Sequence, residues 1–251
     1  MSLSFQHIRN ATSILTVNGK RILIDPMLSD PGELPPIPLT FNYRRNPLTP
    51  LPVPLSLFQD VDAVLVTHRH FDHWDKKAIS LLNKHIPVFC QPRDERSIRS
   101  SGFSRTIAIE DTFKWEGIWM KRIQGQHGPG LTGKLLGPVS GFILHTDKES
   151  VYIVGDCIYT PSIEEAFRTY KPDVAILNTA KAQMMWGTVI TMTEEDIVRI
   201  PRLSPTTKLI AVHLETINHC KLKRNELLEF IGKQNLDESV WVPDDGEQLS
   251  F

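Results

Sequence analysis

The chain has 251 residues, of which 41% are hydrophobic and 23% are charged, and its formal net charge is −1. This length and composition are typical of a globular domain that folds without disulfide bonds. The balanced charge excludes a strong overall attraction to nucleic acid or to an anionic membrane, so neither is expected as a partner.

Cysteine usage and the first residues bear on location. Cys90, Cys157 and Cys220 are odd in number and widely spaced, which matches neither a disulfide framework nor a zinc ribbon. A reducing, cytoplasmic location is therefore expected. The opening stretch MSLSFQHIRNATS lacks a basic region followed by an apolar region, so no signal peptide is expected. No run approaches 18 uncharged apolar residues, so no membrane span is expected.

Short runs rich in Val and Ile predict most of the regular structure. The runs at 13–17 and 21–25 flank Asn18-Gly19, which predicts a β-hairpin. Further strands are predicted at 61–67, 86–90, 118–124, 139–146, 150–156, 173–178, 208–213 and 239–242. Helical spacing predicts helices at 76–85, 93–102, 193–200 and 223–234. Strand hairpins followed by mixed strands and helices favour an α/β fold with partly antiparallel sheets.

The segment 30–55 is unusual because it holds eight of the 18 prolines. Proline removes hydrogen-bond donors and fixes φ, so this segment is predicted to be neither a helix nor a central strand. Ile37, Leu39, Phe41 and Tyr43 alternate with polar residues or proline and are able to pack. Two interpretations stay open: a structured loop beside a functional site, or an excursion over the surface.

The turn at 68–73 carries the clearest chemical signal. His68, His70, Asp72 and His73 follow a predicted strand with the spacing H-x-H-x-D-H. A purely structural turn, with Asp72 or Asp75 capping a helix, accounts for one aspartate but not for three histidines. Imidazole and carboxylate groups at this density are typical of a metal site. Four ligands within six residues exceed what one catalytic ion needs, so the turn predicts two neighbouring ions.

A pair of ions needs more ligands, and the chain offers three at the ends of later predicted strands. His127 lies between glycines in GQHGPG, Asp156 follows YIVG, and His213 follows LIAV. In α/β proteins, ligands bind at the ends of strands, which makes all three good candidates.

The turn at 68–73, followed in order by His127, Asp156 and His213, resembles the metallo-β-lactamase superfamily. The stretch RNATSILTVNGKRILIDPML resembles its opening hairpin, and Asp25 matches an aspartate that supports a metal ligand. The chain looks most like the ascorbate-6-phosphate lactonase-like and related metal-dependent hydrolase branch. The resemblance implies an α/β fold, a four-layer αββα sandwich formed by a single domain over 1–251, with 30–55 as a loop insertion.

The resemblance also implies how two divalent ions are held. One would be bound by His68, His70 and His127, and the other by Asp72, His73 and His213, with Asp156 bridging both. A water or hydroxide between the ions would be the nucleophile, and Asp72 would orient it or pass a proton to the leaving group. Zinc is the first expectation, while manganese, iron and nickel suit the same ligands.

His219 stays open at this point, since it lies six residues after His213. It is a candidate catalytic residue through contact with an oxyanion or phosphate, an alternative second-metal ligand in place of His213, or a surface histidine. His70 stands where the di-iron flavoprotein branch has Glu, which disfavours oxygen or nitric oxide reduction.

The expected function is dinuclear metal-dependent hydrolysis of an ester-like bond, a lactone or phosphoester, in a small-molecule substrate. Homo-oligomer formation is left open. Two alternatives share the ligand set: a metal-binding sensor or interaction protein without catalysis, and a nuclease or phosphodiesterase on the same fold. The balanced charge makes the nuclease the weaker alternative.

Overall fold

The structure, a computed structural model, describes residues 3–251; Met1 and Ser2 lie outside the described residues. In chain order, its strands are β1 (Ser4–Arg9), β2 (Thr12–Val17), β3 (Lys20–Ile24), β4 (Ala63–Val66), β5 (Val88–Cys90), β6 (Thr106–Ala108), β7 (Thr112–Trp115), β8 (Ile118–Gln124), β9 (Ser140–His145), β10 (Ser150–Ile153), β11 (Val174–Asn178), β12 (Lys208–Val212), β13 (Val240–Trp241) and β14 (Gln248–Ser250). Its α-helices are α1 (Lys76–Leu81), α2 (Pro92–Ser100), α3 (Gly130–Leu136), α4 (Pro161–Tyr170), α5 (Glu194–Ile197), α6 (Ile200–Leu203) and α7 (Arg224–Lys233). Two 3-10 turns are Leu55–Phe58 and Met185–Gly187.

The strands form two seven-stranded mixed sheets. The first has the order β14-β1-β2-β3-β4-β5-β6, antiparallel up to β3 and parallel from β3 to β6. The second has the order β13-β12-β11-β10-β9-β8-β7, parallel from β13 to β10 and antiparallel from there to β7. Each sheet therefore begins as a meander or hairpin and continues through crossovers, which is why the predicted strands are partly antiparallel.

Side-chain alternation along the strands stacks these sheets into four layers. In β4, Ala63 and Leu65 join the apolar cluster between the sheets, whereas Val64 and Val66 join the outer cluster that includes Ala78 of α1. In β11, Val174 and Ile176 face inward, while Ala175 and Leu177 pack with residues of α4, α5, α6 and α7. Because both faces of each sheet are buried, the strands are apolar throughout. The four-layer αββα sandwich is confirmed.

Local signals explain where several helices begin. The Asp75 carboxylate accepts a hydrogen bond from the Ala78 backbone N–H at the start of α1. Thr193 and Asp196 form the expected capping box at the start of α5. Helix ends differ from the prediction. The helix predicted over 76–85 ends at Leu81, where the chain turns extended, and the helix predicted over 193–200 is replaced by α5 and α6 because Pro201 cannot continue the hydrogen-bond ladder.

Four strands and two helices were not predicted: β1, β6, β7, β14, α3 and α4. The strands β6 and β14 have three residues each, too short for an alternation pattern to stand out. By contrast, α4 carries a visible start signal, since Thr160 caps it and Pro161 is its first residue. No helix among residues 3–251 has both the length and the apolar character that crossing a bilayer requires.

The proline-rich segment is a structured loop that packs beside the C-terminal part of the chain. Asn218 is its main anchor: its side-chain Oδ1 accepts from the Ile37 N–H, and its Nδ2 donates to the Thr40 hydroxyl. Asn46 adds a further hydrogen bond between the loop and this residue, because its Oδ1 accepts from the Asn218 backbone N–H at 2.8 Å. The interpretation of 30–55 as a surface excursion is therefore wrong for the part around Ile37.

The same segment is tied to the first sheet by a buried arginine. Arg9 is fully buried at the end of β1, and its guanidinium donates to the carbonyls of Met27, Ser29 and Thr49 at 2.7–3.0 Å. Burial lowers the pKa of Arg9 to about 10, so the group stays protonated at neutral pH. The positive charge is thus dispersed over three backbone dipoles at either end of the loop.

We predict that Arg9→Met lowers the free energy of unfolding by about 3 kcal/mol, because three buried carbonyls lose their donors. Urea denaturation would measure the change. The matched control is Arg96→Met on the exposed side of α2, which should change stability by less than about 0.5 kcal/mol. Equal stabilities of the two variants would contradict the anchoring role of Arg9.

Candidate metal centre

The candidate ligands converge at one edge of the sandwich. His68, His127, Asp156 and His213 each lie within three residues of the C-terminal end of a strand, namely β4, β8, β10 and β12. These strands come from both sheets, so the fold brings together residues separated by as many as 145 positions in the sequence. Asp25, which directly follows β3, lies at the same edge.

The first ligand set is formed by His68, His70 and His127, whose nitrogen atoms lie within 4.8 Å of one another. The His68 Nε2 and His70 Nδ1 atoms are 3.0 Å apart. His68 and His127 are buried, and His70 is half-buried. Two ring nitrogens from the turn after β4 and a third from the loop after β8, a strand of the other sheet, therefore face a common point.

The second set is formed by Asp72, His73, Asp156 and His213, all buried. The Asp156 Oδ2 is 3.3 Å from the His73 Nε2, and the Asp156 Oδ1 is 3.5 Å from the His213 Nε2. The Asp72 Oδ2 is also 3.5 Å from the His213 Nε2. Asp156 reaches the first set as well, since its Oδ2 lies 3.9 Å from the His127 Nε2.

These spacings fit divalent cations. Ligand atoms at the corners of a tetrahedron around zinc, each about 2.0–2.1 Å from the ion, lie roughly 3.3 Å apart. The separations of 3.0–3.9 Å between donor atoms of this site bracket that value. Imidazole and carboxylate are the donors that zinc and related ions prefer.

In each histidine, one ring nitrogen faces away from the other ligands. The hydrogen bond made by this nitrogen determines whether the second ring nitrogen is free to bind a cation. The Thr67 hydroxyl donates to the Asp25 Oδ2 at 2.7 Å, so its oxygen is free to accept from the Nδ1–H of His68 at 3.1 Å. The His73 Nδ1–H donates to the same Asp25 oxygen at 2.8 Å. Both tautomers therefore leave a lone pair on Nε2, the atom that faces the other ligands.

Backbone carbonyls accept hydrogen bonds from the outward-facing N–H groups of His70 and His127, the other two histidines of the first set. The His70 Nε2–H donates to the Leu136 carbonyl at 3.1 Å, and the His127 Nδ1–H donates to the Ile190 carbonyl at 2.9 Å. A side chain at Gly128 would collide with Ile190, since a Cβ placed there lies 2.8 Å from its Cγ2. Glycine at this position allows the close approach on which the His127 contact depends.

His213, the remaining histidine, contacts a thiol instead of an oxygen. The Sγ of Cys220 lies 3.5 Å from the Nδ1 of His213, and the Nε2 of His213 faces Asp72 and Asp156. Asp156 is itself held, because the Asn178 side-chain amide donates to its Oδ1 at 2.6 Å. With the histidines neutral, six of the seven candidate ligands thus present an electron pair inward, an arrangement that attracts a cation.

Electrostatics at the second set favour positive charge. Burial disfavours the charged form of His73, but the carboxylates of Asp156, Asp25 and Asp72 outweigh burial and raise its pKa to about 10, so that without a metal ion its Nε2 holds a proton that a bound cation would displace. In the first set, burial lowers the pKa of His68 well below the usual range and that of His127 to about 4. His68 and His127 are therefore neutral imidazoles, the form that binds a metal.

Backbone strain marks two of the supporting positions. Asp25 and His213 have φ values of 44° and 69°, in the left-handed region that costs non-glycine residues about 1–2 kcal/mol each. The first sheet holds the His213 backbone in place, since its N–H donates to the Asn10 carbonyl at 2.9 Å. The Asn10 side chain donates to the carbonyl of Asp72 at the same distance. Strain retained at such positions is typical of functional sites.

His219 lies beside both sets without belonging to either of them. It lines a cavity of about 150 Å³ together with Ile37, Pro38, His70, Phe71, Asp72, His127, Leu136, Asp156, Met184 and Ile190. Its ring is buried and its Nδ1 has no hydrogen-bond partner among the described residues. Burial lowers the pKa of His219 to about 4, so the ring is neutral at neutral pH. The geometry places His213, rather than His219, among the donors of the second set.

Sequence reasoning missed several supporting residues. Thr67, Asn10 and Asn178 fix ligands by hydrogen bonds, and Ile190 and Leu136 do so through carbonyls. Asn178 could have been found from the sequence, since it is a polar residue at the end of an apolar strand, much as Asp156 and His213 closely follow apolar strands. A backbone acceptor carries no residue-type signal, so the two carbonyls could be found only in the folded chain.

Comparison with known proteins gives the family. A family model described as the beta-lactamase superfamily domain matches residues 20–214. The UPF0173 protein YddR of Bacillus subtilis is 34% identical over 254 residues, covering 99% of this chain and 100% of that relative. The chain belongs to the metallo-β-lactamase superfamily and, within it, to the UPF0173 family.

Two solved structures share the fold along the whole chain. The crystal structure of a possible metal-dependent hydrolase from Veillonella parvula has a TM-score of 0.96 and 36% identity, covering 100% of both chains. The crystal structure of isothiocyanate hydrolase from Delia radicum gut bacteria has a TM-score of 0.94 and 34% identity, covering 99% of both chains. Together with the family, these similarities identify the protein as a metal-dependent hydrolase.

We predict that His68→Ala and Asp156→Ala each lower the metal content of the purified protein, by about one ion per chain for His68 and by more for the shared Asp156. Elemental analysis after extensive dialysis measures the content. His145→Ala, on β9 where its ring stacks on Trp119, is the control and should keep the wild-type content. A His68→Ala protein with full metal content would remove that residue from the ligand set.

We predict that Asp25→Asn weakens metal binding by about 10- to 100-fold while the chain stays folded. An amide in place of the Asp25 Oδ2 would present an N–H to the His73 Nδ1–H and so disturb the tautomer that frees Nε2. Competition with a fluorescent chelator measures the affinity. Asp60→Asn, at an exposed position, is the control; an unchanged affinity in Asp25→Asn would contradict the role of this contact.

Proposed function

We propose that the protein binds two divalent ions, zinc first among them, and hydrolyses a small uncharged electrophile. The observation that supports this most is the convergence of seven candidate ligand side chains, with Asp156 within 4 Å of ligand atoms in both sets. His68, His70 and His127 would hold one ion, and Asp72, His73 and His213 the other, with Asp156 shared. A bound pair of such ions lowers the pKa of a water molecule and supplies a hydroxide nucleophile at neutral pH.

The cavity beside the ligands points to the substrate class. Its apolar lining comes from Ile37, Pro38, Phe71, Leu136, Met184 and Ile190. Of the described residues that line this cavity, none is Lys or Arg, the residues that usually bind a phosphate. This lining favours an uncharged substrate such as a lactone over a phosphoester.

An isothiocyanate is the uncharged electrophile that agrees best with both the lining of the cavity and the similarity to known proteins. One relative, 34% identical along the whole chain, is an isothiocyanate hydrolase. In the reaction R–N=C=S + H2O → R–NH2 + O=C=S, the water oxygen bonds to the central carbon and the nitrogen takes up both protons as the C–N bond breaks. We propose this reaction first and hydrolysis of a small lactone second.

Two residues of this chain are suited to move or hold protons in that reaction. Asp72 lies at the boundary between ligands and cavity, where its carboxylate can accept a proton from the attacking water and return it to the leaving nitrogen. His219 faces the same cavity as a neutral ring without a hydrogen-bond partner for Nδ1. It is placed to donate a hydrogen bond to the heteroatom on which negative charge develops.

The cavity also weighs against the non-catalytic alternative. A structural metal site is enclosed by its protein ligands, whereas two candidate ligands of each set here line the cavity: His70 and His127 in one, Asp72 and Asp156 in the other. A nuclease would need a cationic surface beside the site, and none of the described residues that line this cavity is Lys or Arg.

The proposal predicts metal-dependent release of amine from methyl and 2-phenylethyl isothiocyanate by the zinc-reconstituted protein. Removal of the metal with a chelator should abolish turnover, and zinc should restore it. His219→Ala should lower kcat by about 10- to 100-fold with unchanged metal content, because one hydrogen bond to developing charge is lost. Amine release is followed by derivatisation and chromatography.

A panel of lactones, esters and phosphodiesters serves as the comparison. Turnover of lactones alone would replace the first substrate by the second. The absence of metal-dependent turnover on every member of the panel, by a protein that holds two ions, would contradict the proposal and favour a sensor.

A further inference from the structure

The three segments that contribute apolar residues to the metal cavity also carry the most exposed large apolar side chains. The six most exposed large apolar residues in 3–251 have between 56% and 82% of their surface exposed, and all belong to three segments: Leu39, Phe41, Tyr43, Leu131, Leu135 and Trp186. The next, Leu228, is 48% exposed. We call these six residues the apolar collar.

Each of the three segments also contributes a wall of the metal cavity. Ile37 and Pro38 line the cavity just before Leu39, and Leu136 lines it directly after Leu135. Met184 lines it two residues before Trp186. The collar is therefore continuous along the chain with the apolar lining inside.

Hydrogen bonds join the collar segments to one another and to the candidate ligands. The Met185 N–H donates to the Leu39 carbonyl at 2.6 Å, which joins the turn of Trp186 to the proline-rich loop. The Leu136 carbonyl accepts from His70, which holds the end of α3 against the first ligand set. Asn218 fixes the loop before Phe41 through Thr40.

The backbone at the collar is held in costly conformations. Leu39 and Trp186 have φ values of 56° and 67°, in the left-handed region that a bulky side chain rarely adopts. Large apolar side chains that are exposed and held in strained conformations are often found at functional surfaces.

Cavity size indicates what the collar binds. A volume of about 150 Å³ corresponds to roughly five water molecules, enough for a reacting group and the attacking water. Pockets that enclose a whole drug-sized ligand measure about 300–1,000 Å³. A substrate with a larger substituent must therefore extend out of the cavity and over the rim.

We propose that the apolar collar is a subsite for the hydrophobic tail of the substrate, so that the enzyme prefers long-chain or arylalkyl electrophiles over their methyl analogues. This inference rests on the proposed function, because the reacting group must occupy the metal cavity. Trp186 and Leu135, from two different segments, are the residues that the tail covers.

The test uses n-alkyl hydroxamic acids, which chelate metal through the head group and need no turnover. Binding of the acetyl to octanoyl members to the zinc-loaded protein is measured by isothermal titration calorimetry. We expect Kd to fall by roughly two- to fourfold per methylene. Trp186→Ala and Leu135→Ala should each weaken octanohydroxamate by about tenfold and leave acetohydroxamate unchanged.

Trp119→Ala is the matched control, because this tryptophan is also partly exposed but lies at the opposite end of β8 from His127. A Kd independent of chain length, or no binding of octanohydroxamate, would overturn the subsite. So would equal losses for short and long members in Trp186→Ala. Chain-length dependence without turnover of any isothiocyanate or lactone would contradict only the proposed reaction.

A second copy of the chain is the competing occupant of the collar. Sedimentation velocity at the calorimetry concentrations separates the two cases. We expect the wild type and Trp186→Ala to sediment alike. A wild-type dimer that dissociates in Trp186→Ala, without loss of chain-length dependence, would identify the collar as a subunit interface and overturn the subsite.

Discussion

The structure depends on a set of electron pairs that the fold forces to face one another. Five imidazole nitrogens and two carboxylates meet at the edge of the sandwich, and four of the five imidazoles donate an N–H to an acceptor on the outside. Such an arrangement is repulsive unless positive charge occupies its centre. Burial of six of the seven side chains strengthens both the repulsion and the attraction for a cation.

The acceptors on the outside come from different parts of the chain, and this explains why the architecture is so constrained at one edge. Asp25 serves His73 directly and serves His68 through Thr67, so one carboxylate orients a ligand in each set. Carbonyls of Leu136 and Ile190 serve the remaining histidines of the first set. The same two residues line the cavity, so the groups that orient the ligands also shape the space beside them.

Much of this arrangement can be predicted from the sequence, and there is a physical reason why the rest cannot. The spacing of His68, His70, Asp72 and His73 predicts a metal turn because side-chain chemistry is written in the residue types. The packing of the proline-rich loop on Asn218 does not follow from the sequence, since hydrogen bonds between segments about 180 residues apart leave no periodic pattern. The same holds for α3, whose exposed Leu131 and Leu135 follow no amphipathic stripe that faces a core. The sandwich itself followed from the family resemblance rather than from periodicity.

The central claim is that two ions share Asp156 at this edge, and anomalous diffraction from crystals of the zinc-loaded protein tests it most directly. The account predicts two anomalous peaks about 3.5–4 Å apart, one beside His68, His70 and His127 and the other beside Asp72, His73 and His213. A single peak at full zinc loading, or a second peak coordinated by His219 in place of His213, would contradict it.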